Sequence, residues 1–104
     1  MLLRLDTTEK SLELQDPDDC DDFSVEVTGS MNPAEVDETI ANAGAGRLVG
    51  AHAFIAVASI RQWADGNTSD GWDARFQQLL DKAGRAGRMN DDRSYLYADY
   101  REAQ

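Results

Sequence analysis

Three short segments near the start of the chain alternate apolar and polar residues, and this limits the fold more than any other feature. Arg4 separates Leu3 from Leu5, and Glu13 separates Leu12 from Leu14. Ser24 and Glu26 interleave Phe23, Val25 and Val27. A period of two sends alternate side chains to opposite faces, so each segment reads as a strand with one buried face. Strands wet on one side suit an antiparallel sheet. Thr7-Thr8-Glu9-Lys10 is short and polar enough to close a hairpin between the first two. The run Asp16-Pro17-Asp18-Asp19-Cys20-Asp21-Asp22 joins the second to the third. Proline and aspartate favour turns, and adjacent like charges resist burial.

Helix chemistry begins after Gly29. Asn32 is a natural N-cap, Pro33 fits the first helical turn, and Glu35 complements the positive end of the helix dipole. Val36 and Ile40 then share a face, and the Gly44-Ala45-Gly46 stretch favours a break. From Arg47 to Ala64 the residues are apolar almost all round and rich in alanine, which reads as a central buried helix, with a strand as the alternative. Asp65 to Gly71 is dense in turn residues. Trp72, Phe76, Leu79, Leu80 and Ala83 fall at helical spacing, with Ser69 or Asp70 available as caps and Lys82, Arg85 and Arg88 suited to the far end. Residues 94–100 have strand composition, with a short helix as the alternative. The expected fold is α+β: an antiparallel sheet of three to four strands with two or three helices packed on one face. In one domain spanning 1–104, strands occupy about 2–28, helices about 33–88, and a last strand 94–100.

Charge is distributed unevenly. The net charge is −10, and residues 1–46 hold twelve carboxylates against only Arg4 and Lys10, so the first half carries all of it. Such a surface repels phosphates, so direct nucleic-acid binding is not expected. A basic protein partner fits the charge instead. The longest apolar stretch, Leu48 to Ile60, is 13 residues and interrupted by His52 and Ser59, short of the roughly 20 that span a bilayer. No membrane association is expected. Cys20 is the single cysteine, which excludes an internal disulfide, and the first residues lack the apolar core of a signal peptide, so a cytoplasmic location is expected.

No motif identifies a chemistry. The glycines at 44, 46 and 50 resemble a phosphate loop, but the residues before them read as helix, not strand. Close packing or dimerisation through a helix face of Gly46, Gly50 and Phe54 explains them better. The Asp65–Gly71 segment resembles a calcium loop, yet Asp70 stands where glycine is needed and Phe76 where a bidentate glutamate is needed. No metal or cofactor is expected. His52 is the sole histidine, read as a core or pocket-lining imidazole and as the best general base should the chain be an enzyme. Dense negative charge around Cys20 makes it a poor nucleophile.

The leading expectation is a non-enzymatic interaction module, inhibitor-like or chaperone-like, that binds a basic partner. Asp18, Asp19, Asp21 and Asp22 would steer the approach, and Trp63, Trp72, Tyr95 and Tyr97 would anchor it. The alternatives are a small enzyme or ligand-binding protein with a pocket near His52, and a structural homo-oligomer, of which a homodimer is the simplest.

Overall fold

The computed structural model describes residues 1–50 and 52–102. Among the described residues nine elements follow one another: β1 (Leu2–Asp6), β2 (Ser11–Gln15), β3 (Ser24–Thr28), α1 (Pro33–Asn42), β4 (Gly46–Val49), β5 (His52–Ala56), α2 (Val57–Ala64), α3 (Trp72–Arg85) and β6 (Tyr95–Glu102). The fold is α+β. Its sheet is larger than the alternation predicts and is mixed instead of antiparallel, six strands in the order β2-β1-β3-β6-β5-β4. β1 pairs antiparallel with β2 and parallel with β3, and β3 pairs parallel with β6. β6 and β4 both run antiparallel to β5.

The first three strands fall where the alternation places them. Leu3 lies opposite Leu14 and Val25, and Leu5 opposite Leu12 and Val27. Leu3, Leu5, Val25 and Val27 are all 0% exposed, whereas Arg4 between them faces solvent. The turn after β3 is tied down by Thr7, whose hydroxyl donates to the carbonyls of Thr28 and Ser30. Gly29 is required there: at φ +93°, a Cβ would sit 2.7 Å from the Thr7 Oγ1.

α1 starts as its sequence dictates, with the Asn32 side chain accepting from the Ala34 N–H and Pro33 in the first turn. It buries Val36, Thr39 and Ile40, and the chain breaks at Gly44, φ +66°. α3 also matches its expected span, but Gly71 in a left-handed conformation precedes it in place of a capping side chain from Ser69 or Asp70. α1 reaches β4 at one edge of the sheet, while α1 and α2 both touch β2 at the other, so the sheet curls round the helices.

The expected helix over Arg47–Ala64 is the main correction. Gly46–Val49 and His52–Ala56 form the antiparallel β4–β5 pair, and among the described residues of this stretch only Val57–Ala64 is helical. Leu48, Ala53 and Ile55 turn to the core, and Arg47, Val49, His52 and Phe54 to the opposite face. Apolar residues on both faces hid the period of two. Gly46, Gly50 and Phe54 therefore share no helix face: Gly46 is in β4, Gly50 follows it at φ +61°, and Phe54 lies in β5 opposite Arg47. Outermost in the sheet, β4 is guarded by α1, because the Asp37 carboxylate accepts the Leu48 N–H at 2.7 Å.

β6 holds the two halves together. Tyr95 to Asp99 pair with β5, and Tyr100 to Glu102 pair with β3. Before reaching β3, the other edge of β6 is covered by residues 88–90, through the Met89–Leu96 bridge and the Tyr97 N–H bond to the Arg88 carbonyl.

Candidate functional site

The alternation that buries Leu96 and Ala98 turns Tyr95, Tyr97, Asp99 and Arg101 to the opposite face of the sheet. There they meet the outward side chains of neighbouring strands. Phe54 and Tyr97, directly opposite each other, stack with ring centroids 3.9 Å apart and planes 12° from parallel. Such a pair contributes about 0.5–1.5 kcal/mol beyond the area it buries. Beside it the His52 Nδ1 lies 2.8 Å from the Asp99 Oδ1, with the two side chains 56% and 74% exposed. Farther along, Glu26 is shared by Arg101 at 3.1 Å and Arg4 at 3.7 Å. Val49 and Tyr95 are the large hydrophobic residues most open to solvent among those described, and both point outward on this face. Arg47, opposite Phe54, completes an open depression of about 550 Å³ with Phe54 and Tyr95.

A second feature lies where β6 changes partner from residues 88–90 to β3. The change leaves a cleft of about 300 Å³ floored by Phe23, Leu79 and Leu96. Asp21 and Asp22 stand in its lining together with Lys82, Arg88 and Tyr97. A smaller groove of about 130 Å³, bounded by His52, Asp99, Tyr97 and Arg88, adjoins it through the last two residues.

The acidic segment between β2 and β3 is ordered by bonds to its surroundings. The Trp72 indole N–H donates to the Pro17 carbonyl, and the Met1 nitrogen donates to the carbonyls of Asp19 and Asp22. Asp18 accepts from the Ser69 N–H and hydroxyl and from Arg75. The Ser69 backbone bond is the largest influence on the Asp18 carboxyl, and together with the Ser69 hydroxyl and the Arg75 guanidinium it outweighs desolvation and holds the group below the usual range. The Asp19 carboxylate lies 3.7 Å from the Met1 nitrogen. Asp22 accepts from the Phe23 N–H. Burial, and only to a lesser degree the neighbouring Asp18, pushes the Cys20 thiol up, while Arg75 and the N-terminal ammonium oppose it.

The structure thus brings together only part of the sequence-derived set. Asp21, Asp22 and Tyr97 line one cleft, with Tyr95 on the sheet face beyond Tyr97. Asp18 and Asp19 are engaged within the chain. Trp72 is 6% exposed and stacks on Phe76 in the core, and Trp63 packs against the core edge, so neither ring lies on the sheet face. His52 is at the surface, not in the core. In the sequence Lys82 and Arg88 read only as helix-end cations, and Asp99, like Tyr95 and Tyr97, can be named as a partner for His52 but not placed beside it. The only sequence signal for that pair is period-two alternation in 52–56 and 95–99, which puts both residues on outward positions.

Among the described residues no cluster of histidine, cysteine and carboxylate side chains is arranged to hold a metal ion, and no helix is long and apolar enough to cross a membrane. Compared with known protein families, curated proteins and solved structures, the chain matches no family model, no protein and no structure.

Proposed function

We propose that the protein is a small acidic interaction module that binds a basic partner protein through the open face of its sheet. The observation that supports this most is the Phe54–Tyr97 stack, two large rings packed face to face on that side of the sheet. Rigid aromatic side chains bury much area at little entropic cost, which is why they anchor protein contacts. Tyr95 and Val49 extend the apolar centre, while Arg47, Arg101, Glu26 and the His52–Asp99 pair form a polar rim. The net charge of −10 draws a cationic partner from a distance, whereas the aromatic centre provides short-range contact. The test is capture from host extract on immobilised wild type and on a Phe54→Ala/Tyr97→Ala variant, each eluted with a salt gradient. A basic protein retained by the wild type, released by salt and lost with the variant supports the reading. Equal retention by both, or retention indifferent to salt, refutes it.

A second reading, a small enzyme or ligand-binding protein with a pocket near His52, is favoured by the 2.8 Å contact between His52 and Asp99 at the rim of a groove. A carboxylate on Nδ1 fixes the imidazole's orientation and leaves Nε2 available as a base. Under this reading His52→Ala abolishes ligand binding or turnover while the protein stays folded.

A further inference from the structure

We infer that the cleft at the partner change of β6 is a binding site for a free α-amino acid with an apolar side chain. The cleft's lining supports this whether or not a protein docks on the sheet face. Its floor is apolar, being formed by Phe23, Leu79 and Leu96, which are 7%, 7% and 2% exposed. Its rim is bipolar: Asp21 and Asp22 supply negative charge, Lys82 and Arg88 positive charge. Among the described residues neither Lys82 nor Arg88 enters an ion pair, although six of the other basic side chains and the sole histidine do. Asp21 likewise has no cationic partner. Opposite charges that share a cleft without bonding each other leave both free for a ligand that carries both signs.

A zwitterion satisfies this arrangement and a simple ion does not. A lone anion at Lys82 and Arg88 would feel the repulsion of Asp21 and Asp22, and a lone cation would meet the converse. An amino acid places its carboxylate toward the cations and its ammonium toward the aspartates, while its side chain covers the floor. The volume, about 300 Å³, lies at the small end of ligand sites, which suits an amino acid and not a nucleotide. The charged groups are exposed, so each contact is screened and the expected Kd is on the order of 1 mM. The geometry also joins the cleft to His52 and Asp99, since Arg88 and Tyr97 belong to both depressions.

The experiment is a titration of the folded chain with L-leucine, N-acetyl-L-leucine and L-leucinamide, followed by amide chemical shifts. L-leucine is expected to give saturable shifts confined to residues 21–23, 79–88 and 96–99. Each blocked analogue, having lost one charge, is expected to bind at least about tenfold more weakly, since charge-assisted hydrogen bonds are the strong ones. Asp21→Asn and Arg88→Gln alter exposed side chains and should weaken L-leucine similarly without changing the fold. Absence of saturable shifts at about 10 mM, above the millimolar range of weak specific sites, overturns the inference. Equal binding of either blocked analogue overturns it too, because the cleft would then read one charge and not a zwitterion.

Discussion

Alanine at Gly46 and at Gly50 should have very different consequences, and the contrast tests the hairpin directly. Both glycines have positive φ, +142° and +61°. A Cβ on Gly50 would meet nothing within 4 Å, so Gly50→Ala carries only the strain of a left-handed residue, about 1–2 kcal/mol. At Gly46 the same atom would fall 1.8 Å from the Phe54 carbonyl oxygen and 3.3 Å from the Ile55 Cα, both in the paired strand. Backbone cannot swing aside as a side chain does, so β4 must lift from β5. Strain of about 1–3 kcal/mol for the disfavoured conformation adds to about 1–3 kcal/mol of overpacking, which gives about 4 kcal/mol. A domain of this length is stable by only about 5–15 kcal/mol, so Gly46→Ala removes a large part of the total. Urea unfolding followed by tryptophan fluorescence measures both variants. With a slope near 1.5 kcal/mol/M, Gly46→Ala should lower the midpoint by roughly 2–3 M and Gly50→Ala by about 1 M. Neither shift should depend on protein concentration. A Gly46→Ala protein as stable as Gly50→Ala, or a loss that vanishes at high concentration, would refute the hairpin and restore glycine packing between copies.

Thr7→Val keeps the shape of a side chain only 4% exposed but removes the hydroxyl that holds Thr28 and Ser30, and should destabilise by about 1 kcal/mol in the same urea assay. His52→Ala should change stability by less than about 1 kcal/mol because its pair with Asp99 is solvent-exposed, and a loss above about 2 kcal/mol would return His52 to the core. Asp18 has a lowered folded pKa, so its bonds to Ser69 and Arg75 add stability above the unfolded value of 3.8 that is lost as pH falls through the folded one. Unfolding of wild type and Asp18→Ala, compared from pH 7 to pH 2, should therefore differ most at neutral pH and converge in acid. A difference that grew on acidification would contradict that assignment.

Local signals were legible where one chemistry dominated. The alternation of Leu3/Leu5, Leu12/Leu14 and Val25/Val27 located three strands, and Asn32-Pro33 located the start of α1. Trp72, Phe76, Leu79 and Ala83 gave α3. The hairpin at 46–56 was obscured because Val49 and Phe54 lie outward, making both faces apolar, and because alanine favours helices wherever packing does not overrule it. Parallel pairing of β1 with β3, and of β3 with β6, rests on contacts between distant residues that leave no local pattern. The cleft depends on that pairing, since its lining comes from residues 21–23, 79–88 and 96–97. Composition pointed to Asp21, Asp22 and Tyr97, but only the assembled sheet gives them Arg88 and Lys82 as neighbours.

The double duty of β6 also governs how the molecule can be made. Val25 must wait for Tyr100, so the centre of the sheet is closed by a contact between residues 75 positions apart. Long-range pairings of this kind slow folding, because a large loop has to be ordered before it is rewarded. During synthesis β1–β3 and the β4–β5 hairpin can form early, but each presents a bare strand edge until residues 95–102 emerge. Bare edges recruit strands from other chains. Yield during expression should therefore be more sensitive to substitutions in β6 than the modest burial of its side chains suggests, and a chain cut before Tyr95 should accumulate as aggregate.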